Sequence, residues 1–392
     1  MRDEKKAGEA VFADKKEIPF NRPAITGKEI SYVARAVEKG KLSGDGPFNR
    51  GCMEWLEQNL GCGKAFLTPS GTHALEMAAL LAGIGEGDEV IMPSYTFSST
   101  ANAFALRGAT LVFVDVRPDT MNMDENLLEE AITARTKALV PVHYAGVACE
   151  MDRVLALAER YGLTVIEDAA QGLGAFYRGE PLGTLGKLGC FSFHETKNIT
   201  CGEGGALLVN DPVLVEQAEI LREKGTDRSR FFRGEIDKYT WVGVGSSYLL
   251  GELSAAFLLA QLEQAEEITI DRLRTWNLYY ETLKTLQERG KLELPQVPVE
   301  CRHNGHIFYI KTAGVQERDR LISFLKERGV TGVFHYVPLH SSAAGRRCGR
   351  FHGEDRSTTV ESERLLRLPI FYGLEEDKVQ YVSKLINKFY GN

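Results

Sequence analysis

The sequence predicts an α/β fold in which helices cover both faces of a mainly parallel sheet. Between residues 65 and 209, short apolar runs alternate with segments that have the apolar period of a helix. The apolar runs hold few charges, which is typical of strands that are buried on both faces. Strands that alternate with helices form βαβ units, so the sheet should be largely parallel.

The elements of this region follow one another in a regular order. Each predicted strand is short, and each predicted helix has apolar residues three or four positions apart. The predicted strands are 65–68, 90–92, 110–114, 138–142, 164–167, 190–193 and 206–209, and the predicted helices are 27–39, 48–60, 72–82, 99–106, 125–134 and 152–161.

From residue 251 the alternation stops, which indicates a second domain. One long helix is predicted over 253–286, where it links the large domain to a smaller α/β domain. We expect a flexible leader over residues 1–17, a large domain over 18–262 and a small domain over 263–392. In the small domain the predicted strands are 306–312 and 332–336, and the predicted helices are 318–328, 359–366 and 376–389.

Composition narrows the class of protein. The 392-residue chain has a formal net charge of −7, which disfavours nucleic acid or an anionic membrane as its main partner. Its seven cysteines are scattered and form no C-x-x-C pair, so they indicate free thiols in a reducing cytoplasm and not a disulfide frame or zinc site. No apolar run approaches the length that spans a bilayer.

Residues that could bind a ligand follow the first two strands, where α/β sheets place their sites. Ser70, Gly71 and Thr72 open a helix, so their hydroxyls, backbone N–H groups and helix dipole could bind an anion. A plain helix N-cap would explain these residues as well. Phe97 follows the next strand and offers an aromatic face, although alone it fits a core aromatic equally.

A pair of adjacent carboxylates, Glu167 and Asp168, ends the strand at 164–167, and Gln171 follows. Such a pair is costly to bury unless a cation accompanies it. A protonated ring nitrogen would meet this need, whereas a helix-capping Asp is the simpler alternative.

Ser192 and Lys197 follow the strand at 190–193 and precede the glycines of 202–205. A lysine whose pKa is lowered by burial or by a nearby cation suits Schiff-base chemistry. A surface lysine on a turn is the commoner interpretation. Together, however, an anion cradle, an aromatic face, a carboxylate and a lysine are the parts of a pyridoxal phosphate site.

Three other sequence patterns suggest other kinds of site, and each is weaker evidence than the residues above. A Gly-x-Gly turn at 172–174 lacks the third glycine of a dinucleotide site. Two histidine pairs lack partners at metal-ligand spacing. A cluster of arginines is either a solvated loop or a contact for a phosphate-bearing substrate. These residues are His303 and His306, His335 and His340, and Arg228, Arg230 and Arg233.

Three motifs carry a resemblance to a known family. They are Ser70-Gly71-Thr72, Glu167-Asp168-Ala169-Ala170-Gln171, and Ser192-Phe193-His194-x-x-Lys197 with its following glycines. In order and spacing they resemble the DegT/DnrJ family of sugar-nucleotide aminotransferases, which are fold-type-I pyridoxal phosphate enzymes. The resemblance runs from about residue 18 to the C-terminus. More narrowly, residues 91–105, 140–151, 191–198, 239–248 and 351–369 are similar to TDP-4-oxo-6-deoxy-D-glucose aminotransferases of enterobacterial common antigen biosynthesis.

The resemblance implies a role for each site residue. Lys197 would bind pyridoxal 5'-phosphate as a Schiff base and later move a proton, and Asp168 would pair with the pyridinium nitrogen. Gln171 would contact the oxygen side of the ring, and Phe97 would stack on it. The phosphate would be held by Ser70, Gly71, Thr72 and Ser192, and the sugar would be approached by His335 and Tyr336.

The resemblance also implies a cytoplasmic homodimer with its sites at the dimer interface. Many relatives donate an asparagine from the neighbouring subunit to the phosphate, but here Leu249 stands at that position. Ser246 and Ser247 are the candidate substitutes. The implied reaction moves an amino group from L-glutamate to C4 of TDP-4-oxo-6-deoxy-D-glucose, giving the galacto-configured 4-amino sugar. The alternatives are a UDP-linked or 3-oxo sugar, or a non-catalytic regulator of the same fold.

Overall fold

The computed structural model describes residues 17–391. The leader predicted over residues 1–17 therefore lies outside the described residues, apart from Glu17. The helices are α1 (Glu29–Glu38), α2 (Pro47–Leu60), α3 (Gly71–Leu81), α4 (Ser98–Ala105), α5 (Leu128–Ala131), α6 (Met151–Tyr161), α7 (Val215–Arg222), α8 (Arg228–Phe232), α9 (Glu252–Leu262), α10 (Ala265–Glu288), α11 (Val315–Lys326), α12 (Ala343–Cys348), α13 (Thr358–Arg364) and α14 (Glu376–Phe389).

The strands are β1 (Lys64–Thr68), β2 (Glu89–Pro93), β3 (Thr110–Val114), β4 (Thr136–Leu139), β5 (Thr164–Asp168), β6 (Phe176–Tyr177), β7 (Glu180–Pro181), β8 (Leu188–Ser192), β9 (Gly205–Val209), β10 (Cys301–Arg302), β11 (Phe308–Lys311), β12 (Gly349–Phe351) and β13 (Leu365–Leu368). Strands β1 to β5 alternate with helices, as the sequence predicts, whereas β5 to β9 follow one another without a helix between them.

The centre of the molecule is an eight-stranded sheet with the order β1-β9-β8-β5-β4-β2-β3-β12. Every neighbouring pair is parallel except the two pairs that β9 makes with β1 and β8. The sheet is therefore mainly parallel, as predicted. Because successive side chains of a strand point to opposite faces, β2 serves both layers. Val90 and Met92 join the buried cluster of α3, whereas Ile91 joins that of α6.

Three C-terminal predictions need correction. The helix predicted over 253–286 is two helices, α9 and α10, which are separated at Glu263 and Gln264. The strand predicted over 332–336 is irregular backbone with a single bridge from Val333 to Arg367. The helix predicted over 359–366 ends at Arg364, because Leu365 and Leu366 belong to β13 and pair with β11.

One predicted helix in the large sheet region is also shorter than expected. Residues 125–134 form a 3-10 turn at Glu125–Leu127 followed by the single turn of α5. The remaining predicted helices and strands lie within a few residues of their observed bounds.

The C-terminal part has its own apolar cluster, built from α10, α11 and α14 against the pair β11 and β13. It is also joined to the large sheet, because β12 pairs in parallel with β3 and forms the edge of that sheet. The boundary at residues 262 and 263 stays a prediction. Over residues 17–391, no helix combines the length and apolar character needed to cross a membrane.

Candidate active site

A cavity of about 710 Å³ opens at the carboxyl ends of β1, β2, β5 and β8, and residues 333–336, which lie between α11 and α12, also line it. Its volume lies in the range of pockets that hold cofactors and small substrates. The structure brings all the predicted site residues together on its wall. They are Ser70, Gly71, Thr72, Phe97, Asp168, Gln171, Ser192, Lys197, His335 and Tyr336.

The first turn of α3 forms one end of the cavity. The Ser70 hydroxyl caps the helix by accepting from the His73 N–H at 3.2 Å, and Thr72 Oγ1 lies 2.7 Å from Ser99 Oγ. A Cβ on Gly71 would lie 2.8 Å from the Cβ of Ser192, so glycine is required for this close approach. The remaining N–H groups of the turn and the helix dipole favour an anion here.

Asp168 ends β5 and is buried with its carboxylate on the cavity wall. Its Oδ2 accepts from Thr100 Oγ1 at 2.6 Å, and its Oδ1 accepts from the Ala170 N–H at 3.1 Å. No Lys, Arg or His in residues 17–391 forms an ion pair with it. A buried carboxylate with this arrangement can still receive a cation from a ligand.

Glu167 has a different role from its neighbour, because strand alternation sends it to the other face of the sheet. Its carboxylate accepts from the backbone N–H groups of Gly183, Leu185 and Gly186 at 2.6–2.8 Å, and from His143 Nε2 at 2.9 Å. The expectation that a ligand cation compensates both carboxylates is therefore wrong for Glu167. Its charge is satisfied inside the protein.

Lys197 lies on a turn after β8, held by a hydrogen bond from its N–H to the His194 carbonyl at 2.9 Å. Its Nζ has no hydrogen-bond partner in the described part of the chain. Burial, together with the nearby charge of Arg367, lowers the pKa of Lys197 to about 8, although Asp168 acts in the opposite direction. A substantial fraction of the amine is therefore neutral near neutral pH and able to act as nucleophile or base.

Gln171 joins the two walls of the cavity. Its Oε1 accepts from the Ala145 N–H at 2.6 Å, and its Nε2 donates to the Tyr336 hydroxyl at 3.2 Å. Phe97 is 59% exposed although it lines the cavity, and its ring centroid lies 6.2 Å from that of Tyr336. One face of Phe97 is therefore available to a ligand ring.

His335 and Tyr336 come from the irregular segment between α11 and α12. Their rings stack at 3.6 Å, and His335 Nδ1 lies 2.8 Å from the Tyr144 hydroxyl. Burial, with help from the charges of Arg367 and Lys197, lowers the pKa of His335 well below its usual value, so the ring is neutral. Tyr336 has a φ of 29°, which is uncommon for a side chain of this size and marks a backbone held in place by its surroundings.

Four further cavity residues were not among the predicted site residues: Thr100, Arg272, His306 and Arg367. Of these, His306 was noted only as part of a histidine pair. His306 shows how tertiary contacts define such a residue. Asn198 Nδ2 donates to the Asn304 carbonyl at 3.0 Å, so its Oδ1 faces His306 Nδ1 at 2.8 Å. The hydrogen-bond network therefore assigns the proton to Nδ1 and leaves Nε2 as an acceptor.

The arginine cluster lies outside this site. Arg233 donates to Glu219 at 2.8 and 2.9 Å and to Glu235 at 2.6 Å, and Arg228 and Arg230 also form ion pairs, so nearby carboxylates compensate the cluster at and just after the short helix α8. This arrangement favours the solvated loop over a phosphate contact. Among residues 17–391, no three His, Cys, Asp or Glu side chains are grouped so that they could hold a metal ion. His194 bonds to Thr196 Oγ1 at 2.9 Å and behaves as a hydrogen-bonding neighbour.

The fold and the cavity define a fold-type-I pyridoxal phosphate enzyme, and comparisons with known proteins agree. Residues 23–387 match the model of the DegT/DnrJ/EryC1/StrS aminotransferase family. The chain is 32% identical to DesV of S. venezuelae, solved in complex with a ketimine intermediate, over 96% of this chain and all of that one, with a TM-score of 0.86.

Two further solved structures are similar over nearly the whole chain. The aminotransferase TlmJ of Streptoalloteichus hindustanus is 28% identical, with a TM-score of 0.88 and coverage of 95% of this chain and 99% of that one. The PLP form of the putative sugar aminotransferase Spr1654 of Streptococcus pneumoniae is 25% identical, with a TM-score of 0.85 and coverage of 95% and 98%.

The chain belongs to the DegT/DnrJ/EryC1/StrS aminotransferase family. It is a sugar aminotransferase whose cofactor is pyridoxal phosphate. The cavity fits this cofactor on three grounds. The first turn of α3 offers an anion site beside Ser192, Asp168 lacks a cationic partner in the described chain, and Lys197 has a free Nζ on the same wall.

Proposed function

We propose that the protein transfers the amino group of L-glutamate to C4 of TDP-4-oxo-6-deoxy-D-glucose, giving TDP-4-amino-4,6-dideoxy-D-galactose. The amino-transfer part of this proposal depends on one observation, the convergence of Lys197, Asp168 and the first turn of α3 on one cavity. The choice of sugar and of configuration comes from the narrower sequence resemblance over segments such as 191–198 and 351–369.

Each residue has a task in this proposal. Pyridoxal phosphate supplies an electron sink that acidifies the C–H bond beside the reacting nitrogen. Asp168, oriented by Thr100, keeps the proton on the ring nitrogen. Ser70, Gly71, Thr72 and Ser192 hold the phosphate, and Phe97 covers the ring face.

Lys197 moves the proton at the reacting carbon. Its lowered pKa means that it can accept a proton and return it near neutral pH. Gln171 and Tyr336 are joined by a hydrogen bond, and in this proposal Gln171 contacts the ring oxygen and Tyr336 approaches the sugar. His335 remains neutral and lies on the side from which the sugar enters in this proposal.

Reduction with borohydride tests the assignment of Lys197. Treatment of the holoenzyme should fix the cofactor covalently, and mass mapping of the peptides should place it on Lys197. A label on another lysine would contradict the mechanism. As a matched control, the same mapping should find no label on Lys187, which lies half-exposed in an ion pair with Asp211 at 3.7 Å.

The sugar is tested with a panel of nucleotide ketosugars and L-glutamate as the donor. TDP-4-oxo-6-deoxy-D-glucose should give the highest kcat/KM, and NMR of the product should show an axial amine. Higher kcat/KM with a UDP-linked or 3-oxo sugar would favour the alternative substrate. Equatorial amine would leave the reaction class intact but change the product.

The oligomeric state in this proposal is a homodimer. An exposed apolar arm over residues 231–244 supports it, because monomers seldom expose so many large apolar side chains together. Trp241 is 76% exposed and Val244 74% exposed, and Phe232, Tyr239 and Val242 are exposed beside them. A second copy of this chain is the occupant that we propose. The location that we propose is the cytoplasm, since all seven cysteines are free thiols.

A further inference from the structure

Arg367 is a cationic residue of the cavity that has no task in the proposed reaction. It lies on β13, where its backbone pairs with that of Val333 through hydrogen bonds of 2.8 and 3.1 Å. It lines the same cavity as Lys197, and its charge contributes to the lowered pKa of that amine. The sheet therefore fixes Arg367 on the wall of the cavity that holds Lys197.

The guanidinium is held in position but not neutralised. Its Nη2 donates to the Phe334 carbonyl at 3.1 Å, and its Cζ lies over the Phe20 ring, 4.6 Å from the ring centroid. Its buried Nε has no hydrogen-bond partner, and no Asp or Glu in the described range 17–391 forms an ion pair with it. A guanidinium carries five N–H donors, so most of them lack an acceptor.

The other cationic side chains of the cavity have assigned partners or tasks. Arg272 donates through Nε to the Gly305 carbonyl at 3.2 Å and through Nη2 to the His306 carbonyl at 2.8 Å, which ties it to the main chain. Lys197 is reserved for the cofactor and the proton. The cavity also has two acidic residues, and neither forms an ion pair with Arg367. Asp168 is assigned to the cofactor and accepts from Thr100, and Glu203 Oε1 lies 3.7 Å from His194 Nε2.

We propose that Arg367 binds the α-carboxylate of the amino donor, and this inference rests on the proposed amino transfer. A guanidinium receives a carboxylate through two parallel N–H···O bonds, which fixes both position and orientation. In an amino acid the carboxylate is one bond away from the carbon that loses its proton. An anion beside Lys197 is therefore the carboxylate of the donor, whereas the diphosphate of a nucleotide sugar is separated from its reacting carbon by the sugar ring.

Two variants and one control test this role. Arg367→Gln removes the charge, and Arg367→Lys keeps the charge but cannot form the two parallel N–H···O bonds of a guanidinium. The control, Arg347→Gln, changes an exposed arginine on α12. With each holoenzyme, the two halves of the reaction are followed separately by the absorbance of the cofactor, one with L-glutamate and one with the nucleotide ketosugar. Isothermal calorimetry with maleate, a dicarboxylate that carries no amine, measures binding without turnover.

Arg367→Gln should weaken the apparent affinity for L-glutamate and for maleate by roughly 10- to 100-fold, the usual effect of losing a charged hydrogen-bonded pair. Its affinity for the ketosugar should be unchanged. The affinity of Arg367→Lys for L-glutamate and maleate should lie between those of Arg367→Gln and the wild type. This variant also tests the role of the guanidinium if Arg367→Gln does not fold. Arg347→Gln should match the wild type in all measurements.

Equal losses in both halves, a loss confined to the ketosugar half, or no loss at all would overturn the inference. A loss confined to the ketosugar half would assign Arg367 to the nucleotide phosphates instead. If the wild type does not react with L-glutamate, the proposed function fails. Maleate binding alone then decides whether Arg367 belongs to a carboxylate site. In that case tighter binding of maleate by the wild type than by Arg367→Gln would support a carboxylate site, and equal binding would reject it.

Discussion

At the scale of single residues, Asp168 and Lys197 are prepared in opposite ways. Asp168 accepts two hydrogen bonds that fix the orientation of its carboxyl group, whereas Lys197 has no hydrogen bond at Nζ within the described residues and has its pKa lowered by burial. An oriented carboxyl group and an amine that is easily neutralised are what proton movement beside an electron sink requires.

Asp168→Asn should lower turnover by about 100-fold or more, because a neutral amide cannot hold the proton on the ring nitrogen. Thermal unfolding should show that the protein remains folded, and steady-state kinetics with the ketosugar measures the loss. Glu203→Gln is the matched control, since its carboxylate lies on the rim of the same cavity and should leave kcat nearly unchanged. Turnover of Asp168→Asn near the wild-type value would contradict the role.

The pKa of Lys197 predicts the pH dependence of reconstitution. Only the neutral amine attacks the aldehyde, so below pH 8 the rate at which apoenzyme takes up pyridoxal phosphate should rise about tenfold per pH unit and then level off. Stopped-flow absorbance measures this rate. Arg367→Gln should move the inflection to higher pH, because the guanidinium helps to lower this pKa. An inflection near pH 10 in the wild type would contradict the assignment.

At the scale of elements, the N-terminus of α2 is capped by a carboxylate that is far away in the sequence. Glu252, the first residue of α9, is fully buried and accepts from the N–H groups of Phe48 and Asn49 at 2.9 Å. It thereby caps α2, which has no side-chain cap of its own. The contact joins two helices that are far apart in the sequence.

Glu252→Ala should lower the free energy of unfolding by about 2–4 kcal/mol, because it leaves buried N–H groups without an acceptor. Chemical denaturation with far-UV circular dichroism measures the change. Glu266→Ala, at an exposed position in the first turn of α10, is the matched control and should change stability by less than about 0.5 kcal/mol. Equal effects of both substitutions would show that the cap contributes nothing.

Elements also show where sequence patterns are sufficient. Strands such as 110–114 and helices such as 376–389 coincide with the observed bounds, since their apolar period and their ends are both local. The break at Glu263 and Gln264 has no Gly or Pro, and it arises because α9 packs on α1 and α2 whereas α10 packs on α14. Leu365 and Leu366 continue a helical pattern, but pairing with β11 decides that they form a strand.

The same distinction applies to the site. Residues next to strand ends, such as Ser70, Asp168 and Ser192, were predictable because parallel topology brings strand ends together. Arg367 and Thr100 were not, because an arginine on a strand or a threonine in a helix has no local mark of function. Only the fold brings Arg367 into the cavity that Lys197 lines, and Thr100 Oγ1 within 2.6 Å of Asp168 Oδ2.

At the scale of the whole molecule, the exposed arm predicts the oligomeric state. Trp241→Glu should convert a homodimer into a monomer of 43.5 kDa, because a charge would replace an apolar contact between copies. Light scattering after size exclusion measures the mass. Val299→Glu is the control, since Val299 is 95% exposed but lies outside the arm. A wild type that is monomeric at all concentrations would contradict the dimer.

The pairing of β12 with β3 limits how the chain can be divided. A fragment that stops at residue 262 would lack β12, so the backbone N–H and C=O groups of Leu111–Phe113 that face β12 would be unpaired and β3 would become an open edge of the sheet. It would also lose Val330, the bridge partner of Ile18. Such an open edge is a template for aggregation. The edge of the large sheet therefore depends on a strand from the C-terminal part of the chain. Truncation for crystallisation or fusion should leave residues 349–351 in place.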